Sequence, residues 1–288
     1  MHSTLEVRSA LPPADRRKPS PPLLFIHGAY CDAWCWDVHI LPWFAAQGYA
    51  AHALSLRGHG KSPGRDEIGA LHLADYVEDI RGVAADVAAG AGGDSAPILI
   101  GHSMGAALVE RIIAEGEHPG AALISPVPPS GLLPVLTRLW WGRPDFFWHA
   151  PSLNSAHLDP VSASTLREFY FTERASREIL ADAMRHLSHE SQQAVMELAW
   201  RGQPRRAAGG TPVCVIAGAE DALFTPGDAA ATAARYGTEA IVLEGLPHMM
   251  MLEPGWERLA VALERWITQS VQPTQPAPPP SAAKARVR

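Results

Sequence analysis

The sequence predicts an α/β protein: a mostly parallel central sheet with helices on both faces. Three observations carry the prediction. Short apolar runs such as Leu23–His27 and Ala121–Ile124 recur along the chain and read as strands covered on both sides. Segments with helical spacing separate them, as expected of parallel strands joined by helical crossovers. The run Ile98-Leu99-Ile100 passes directly into Gly101-His102-Ser103-Met104-Gly105, a strand-to-helix turn.

In chain order, residues 1–22 are polar and proline-rich, a flexible segment with room for one edge strand around Thr4–Ser9. Leu23–His27 is the first buried strand. Trp36–Gln47 follows as one helix, with Val38, Ile40, Leu41, Phe44 and Ala45 apolar. Ala50–Leu56 is the next strand, and it runs into Arg57-Gly58-His59-Gly60-Lys61-Ser62-Pro63. From about His72 to Ala89, Leu73, Tyr76, Val77, Ile80, Val83, Ala84 and Val87 share a helical face. Ile98–Ile100 is a strand, and Met104–Ala114 is a helix with Leu108, Val109, Ile112 and Ile113 on one side. Ala121–Ile124, Val213–Ala217 and Ala240–Leu243 complete the strands, and Trp256–Ile267 closes the fold as a helix.

The alternation fails only between residues 126 and 206. Val127-Pro128-Pro129-Ser130-Gly131 opens a stretch without strand patterns, and helices are expected over Thr165–Phe171, Ser176–Leu187 and Glu190–Ala199. Residues 23–125 and 207–268 therefore read as the core. Residues 126–206 read as a helical lid inserted after the strand ending near Ser125, over the C-terminal edge of the sheet. Residues 269–288 are too polar and proline-rich to pack and read as a disordered tail.

Composition narrows the function. The chain has 288 residues, 47% of them hydrophobic, and a formal net charge of −6. That suits one large domain and offers no basic face for nucleic acid. No apolar run has membrane-spanning length, and Met1–Arg8 lacks the basic start and apolar centre of a secretion signal. Cys31, Cys35 and Cys214 are an odd number and do not spell a disulfide framework. Cys31 and Cys35 could share a helical face, but no second Cys/His pair at zinc spacing accompanies them. They are read as small buried residues, with no metal expected. A cytoplasmic location follows from this cysteine usage.

The Gly-x-Ser-x-Gly turn forces Ser103 outward at the top of a sheet, where a hydroxyl is open to attack a substrate. A serine hydroxyl needs a base within reach, and the base needs a carboxylate to fix its tautomer. Asp221 falls just past the strand Val213–Ala217 in Gly218-Ala219-Glu220-Asp221, with Glu220 as the rival acid. His248 follows the next strand in Gly245-Leu246-Pro247-His248. Serine, acid and histidine thus come in the order this chemistry uses on such sheets, each after a separate strand. Among the other histidines, His102 is set by the turn to point away from the serine, and His27 is read as structural. His149, His157, His186 and His189 lie in the lid and are expected to be solvated. Developing negative charge on a substrate oxygen calls for main-chain donors: the N–H of Met104, next after the nucleophile, and that of Ala29 in the loop after Leu23–His27.

These segments resemble the α/β-hydrolase superfamily, in its lid-bearing serine esterase and lysophospholipase-like branch. The resemblance rests on His27-Gly28-Ala29, Leu56–Ser62, Gly101–Gly105, Gly218-x-x-Asp221 and Gly245–His248, spanning about Leu23 to Ile267. It implies the α/β-hydrolase fold, a Ser103–His248–Asp221 triad and no cofactor. Two departures stand out. Ser55-Leu56 precedes the Arg-Gly-His-Gly turn where the family often has aspartate, and the N-terminal segment is short for two antiparallel strands. Glu190-Ser191 recurs in relatives of this appearance without an assigned mechanism.

A serine at the turn, rather than aspartate, argues for acyl transfer on a small-molecule carboxylic ester through an acyl-enzyme. Thioesters, lactones and carbon–carbon bonds beta to a carbonyl are alternatives, as are hydroxynitrile cleavage and a non-catalytic ligand receptor on the same scaffold. Tyr30, Trp34 and Met249 adjoin the chemistry in sequence, and Trp140 and Trp141 belong to an aromatic cluster early in the lid. These five are the candidate substrate contacts, and a medium-length or aromatic acyl group is the expectation.

Overall fold

In the computed structural model, which describes residues 5–92, 95–149, 160–200 and 210–271, the apolar runs assemble into one sheet. Its strands are β1 (Val7–Ala10), β2 (Leu23–Ile26), β3 (Ala51–Leu54), β4 (Ile98–His102), β5 (Ala121–Ile124), β6 (Val213–Gly218) and β7 (Ala240–Leu243). They lie in the order β1-β3-β2-β4-β5-β6-β7. All neighbours are parallel except β1, which runs antiparallel to β3. β4 is central, with Ile100 opposite Phe25 on one side and Ala122 on the other.

Alternate strand residues feed two separate cores. Leu23, Phe25, Ala53, Ile98, Ile100 and Ile216 meet Trp36, Phe44, Leu259 and Leu263 on one face. Leu24, Ile26, Leu54, Leu99, Leu123 and Val215 meet Tyr76, Ile80, Leu108 and Ile112 on the other. Neither face of these strands sees water, so their sequences are apolar at every position rather than at every second one.

The helices before the insertion are α1 (Trp34–Asp37), α2 (Ile40–Ala46), α3 (Leu73–Gly90) and α4 (Met104–Glu115). The single helix expected over Trp36–Gln47 is two pieces. Pro42 has no N–H for the Val38 carbonyl and its ring would collide with it, so the chain breaks at His39 and Pro42 falls in the first turn of α2. Between β5 and β6 come α5 (Leu133–Gly142), α6 (Asp145–His149), α7 (Pro160–Tyr170), α8 (Arg177–His186) and α9 (Gln192–Trp200). These are the helices of the inserted segment. α9 starts two residues later than its periodicity suggests, because the Ser191 hydroxyl accepts the Ala194 N–H at 3.1 Å and caps it.

After β6 the chain forms α10 (Pro226–Arg235), and after β7 it forms α11 (Glu257–Ser270). α10 has no counterpart among the helices expected from periodicity. Its end is set by Thr225, whose hydroxyl accepts the Asp228 N–H while the Asp228 carboxylate accepts the Thr225 N–H at 2.9 Å. α11 runs to Ser270 and Val271 is buried, so packing continues past residue 268. The remainder of the expected tail, 272–288, lies outside the described residues, as do residues 1–4 and His157. Among the described residues, no helix is long and apolar enough to cross a membrane. Cys31, Cys35 and Cys214 are buried free thiols.

Candidate active site

Ser103 stands where β4 becomes α4. Its φ of 52° is positive, an uncommon conformation for a residue with a Cβ. The turn is held from below: the Ser103 N–H donates to the Ile124 carbonyl at 2.9 Å, and the Ser103 carbonyl accepts from Ala106 and Ala107. The loop after β2 crosses directly in front of it. A Cβ on Gly28 would lie 3.0 Å from the Ser103 Cβ and 2.9 Å from the His102 Nδ1, so only glycine lets that loop pass. Among the described residues, neither the Ala29 nor the Met104 N–H has a hydrogen-bond partner.

Asp221 and His248 meet. The His248 Nδ1–H donates to the Asp221 Oδ2 at 2.8 Å, and both side chains are buried. The other Asp221 oxygen accepts the N–H groups of Leu223 and Phe224 at 2.9 Å each. A carboxylate so committed leaves His248 Nδ1 protonated and its Nε2 with a free lone pair. Glu220, the rival acid, is exposed. The His248 ring is edged by Phe224 and Tyr170, and the His102 ring packs on it at 4.7 Å. His102 Nε2–H also donates to the His248 carbonyl at 3.0 Å. The residue before the serine therefore supports the backbone of the histidine. Ser103 and His248 are brought into one neighbourhood in this way, although among the described residues no hydrogen bond closes between them.

A buried histidine also shapes the loop after β2. His27 Nδ1–H donates to the Gly28 carbonyl at 2.8 Å and its Nε2 accepts the Leu56 N–H at 3.1 Å, which requires the neutral ring. Burial, reinforced by the charge of His59, lowers its pKa to about 4. His102 is likewise held well below the usual imidazole range by burial and by His248. Both are protonated more readily in the unfolded chain, so folding loses stability as pH falls below ~6.5. His27 alone is expected to cost about 3 kcal/mol between pH 7 and pH 4. Urea unfolding across that range checks this: the slope should shrink in His27→Gln, and equal slopes would contradict it.

His186 is only partly solvated. It stacks on Trp34 with ring centroids 4.4 Å apart and donates from Nδ1 to the Asp32 Oδ2 at 2.9 Å. His189 is exposed, as expected. The side chain of His149 lies outside the described set.

A cavity of about 30 Å³ opens beside this loop, lined by Ala29, Tyr30, Trp34, Tyr170, Met249 and neighbouring apolar groups. Three of the five expected substrate contacts, Tyr30, Trp34 and Met249, reach it. Trp140 and Trp141 do not: they sit on α5 with 56% and 81% of their surface exposed. A larger cleft of about 1210 Å³ runs between the N-terminal segment and α3, and no candidate site residue lines it.

The Ser55 departure is compensated from β1's end of the chain. The Ser55 hydroxyl donates to the Glu6 Oε2 at 2.8 Å, and the Lys61 N–H donates to the same oxygen at 2.9 Å. Burial raises the Glu6 pKa, but the Lys61 N–H, the Ser55 hydroxyl and the charges of Arg8 and Lys61 outweigh it and hold the carboxyl below its ordinary range. A carboxylate thus still braces the Arg57–Lys61 turn, supplied from just ahead of β1.

Comparison with known proteins agrees with this architecture. Residues 23–262 match the model of the alpha/beta hydrolase family. The chain belongs to that family. It is 28% identical over 239 residues to the monoacylglycerol lipase of Mycolicibacterium smegmatis, covering 80% of this chain and 81% of that protein. Its fold is similar to that of a thermophilic esterase from Thermogutta terrifontis, with a TM-score of 0.65, 18% identity and coverage of 93% and 94% of the two chains. It is similar also to the enol-lactonase of Burkholderia xenovorans LB400, with a TM-score of 0.67, 15% identity and coverage of 92% and 96%.

Proposed function

We propose that this member of the alpha/beta hydrolase family is a serine esterase that cleaves small carboxylic esters through an acyl-enzyme. The observation that carries the reading is the buried His248–Asp221 hydrogen bond of 2.8 Å beside a serine held at positive φ. In the first half-reaction Ser103 Oγ attacks the ester carbonyl carbon and His248 Nε2 takes its proton. Asp221 steadies the imidazolium. The carbonyl oxygen, now an anion, accepts from the free N–H groups of Ala29 and Met104. The bond to the leaving alcohol breaks and its oxygen takes the proton from His248. Water then attacks the acyl-enzyme, again losing a proton to His248, and that proton returns to Ser103 Oγ as the acid departs. No cofactor takes part.

The names of the similar proteins support ester chemistry, since a lipase, an esterase and a lactonase all open an acyl–oxygen bond. The inserted helices α7 and α8 form the outer wall of the cavity and act as its lid. The cavity is small, about 30 Å³. We take it to favour a short acyl group, acetyl or propionyl, over the medium-length chain that the aromatic residues suggest.

A fluorophosphonate probe should label Ser103, and a p-nitrophenyl ester panel should show kcat/KM highest for acetate and propionate and falling by about tenfold or more by octanoate. Each methylene that cannot be housed forgoes roughly 0.8 kcal/mol of burial. A flat profile would remove the short-acyl assignment. Absence of both labelling and turnover would remove the esterase itself.

A further inference from the structure

Glu190 is the most heavily bonded buried group that the proposed mechanism leaves unused. Both it and His59 are fully enclosed, and the two are paired at 3.1 Å between Glu190 Oε2 and His59 Nε2. The same carboxylate oxygen accepts the Tyr30 N–H at 3.3 Å. The other accepts the Tyr76 hydroxyl at 2.8 Å and the Ser191 N–H at 2.7 Å. Three N–H and O–H donors together with the facing His59 outweigh burial and hold this carboxyl below its ordinary range, in the ionised form. His59 faces acceptors at both nitrogens, since its Nδ1 lies 3.0 Å from the Arg57 carbonyl, so it carries both protons.

A buried ion pair is a poor way to gain stability, because desolvating two charges offsets most of their attraction. What this one provides is a fixed position. Tyr30 has a φ of 63°, a strained conformation for a residue with a side chain. Its peptide groups are gripped from the inserted segment on both sides. Its N–H donates to Glu190, and its carbonyl accepts the Ser188 N–H at 3.0 Å. Two residues further on, Asp32 is tied to His186. Residues 186–190 therefore clamp the loop that carries the Ala29 N–H.

We propose that Glu190 is a positioning residue, which through Tyr30 and with His59 holds the Ala29 N–H in line with the oxygen that becomes negative during acyl transfer. This rests on the serine esterase reading above. The lid segment, on this view, builds part of the catalytic apparatus as well as covering it.

The test compares wild type, Glu190→Gln and Glu190→Asp on p-nitrophenyl acetate, with melting temperature and backbone amide exchange over residues 27–34 measured alongside. Glu190→Asp keeps the negative charge but shortens the side chain, and so weakens its reach to the Tyr30 N–H and to His59, which share one oxygen. Both variants should lose about 10²-fold in kcat with KM within about threefold, because a misplaced oxyanion donor weakens the transition state and not the ground state. Exchange at the Tyr30 amide should accelerate in both. Tyr236→Phe, which removes a hydroxyl donor from a different buried carboxylate, Glu110, should stay within about threefold of wild type. Folded variants that keep kcat within about threefold, or Tyr30 exchange that does not change, would overturn the proposal, as would failure of both variants to fold, which would assign Glu190 to stability alone. If wild type itself neither hydrolyses esters nor reacts with a fluorophosphonate, the esterase reading fails first. If wild type does both and the variants match it, only the role of Glu190 fails.

Discussion

Ser103→Ala is expected to lower kcat on the best ester by on the order of 10⁴–10⁶-fold, and His248→Ala by a similar amount. The double variant should lose little more than either single one. Non-additivity is the informative part. The hydroxyl is a nucleophile only while an imidazole accepts its proton, and the imidazole has nothing to accept once the hydroxyl is gone. KM should stay nearly constant, since neither side chain lines the cavity beside the loop. Fluorophosphonate labelling should vanish in Ser103→Ala and nearly vanish in His248→Ala. Additive losses, or a Ser103→Ala enzyme with full turnover, would mean that the ester bond is broken elsewhere in the molecule.

Gly101→Ala should be among the most damaging of the conservative changes to the fold. A Cβ there would fall 2.5 Å from the Gly105 carbonyl carbon and 2.6 Å from the Ala106 nitrogen. Both are backbone atoms of the first turn of α4, so no flexible side chain can swing aside. α4 would have to move off the central strand, shifting its own Leu108, Val109 and Ile112, which are buried in one core. Overpacking of this kind costs typically 1–3 kcal/mol, and contact with backbone rather than a side chain puts the expected loss at or above ~3 kcal/mol. Urea unfolding measures it directly. The surviving folded fraction should also be slow on esters, because the same shift displaces Ser103. A loss below ~1 kcal/mol would show that β4 and α4 can separate without strain.

Most of the core was legible because its strands are buried on both faces and advertise themselves as unbroken apolar runs. The failures have local causes. Pro42 divided a helix that periodicity alone treats as continuous. α10 escaped because Pro226–Arg235 is built mainly of alanine and shows no strong apolar stripe, although Thr225-Pro226-Gly227-Asp228 carried a legible capping signal. Ser103, Asp221 and His248 could be nominated from sequence because each follows a different strand, and strand ends are visible in sequence. Trp140 and Trp141 were chosen by residue type within a segment whose helices have no fixed geometry in sequence, and they face outward. Glu190 was passed over for the complementary reason. Its partners, His59, Tyr76 and the Tyr30 N–H, lie more than a hundred residues away, and no local pattern joins them. Side chains whose role depends on distant partners leave no periodic trace.

The brace at Glu6 bears on how this enzyme can be handled. The peripheral strand looks expendable, since it pairs on one side only and, like β7, buries none of its residues. Yet the acid just ahead of it anchors the Ser55 hydroxyl, which in turn receives the Ala33 N–H beside the loop facing the serine. Trimming the leader to tidy a crystallisation sample would reach, in two steps, into the chemistry itself.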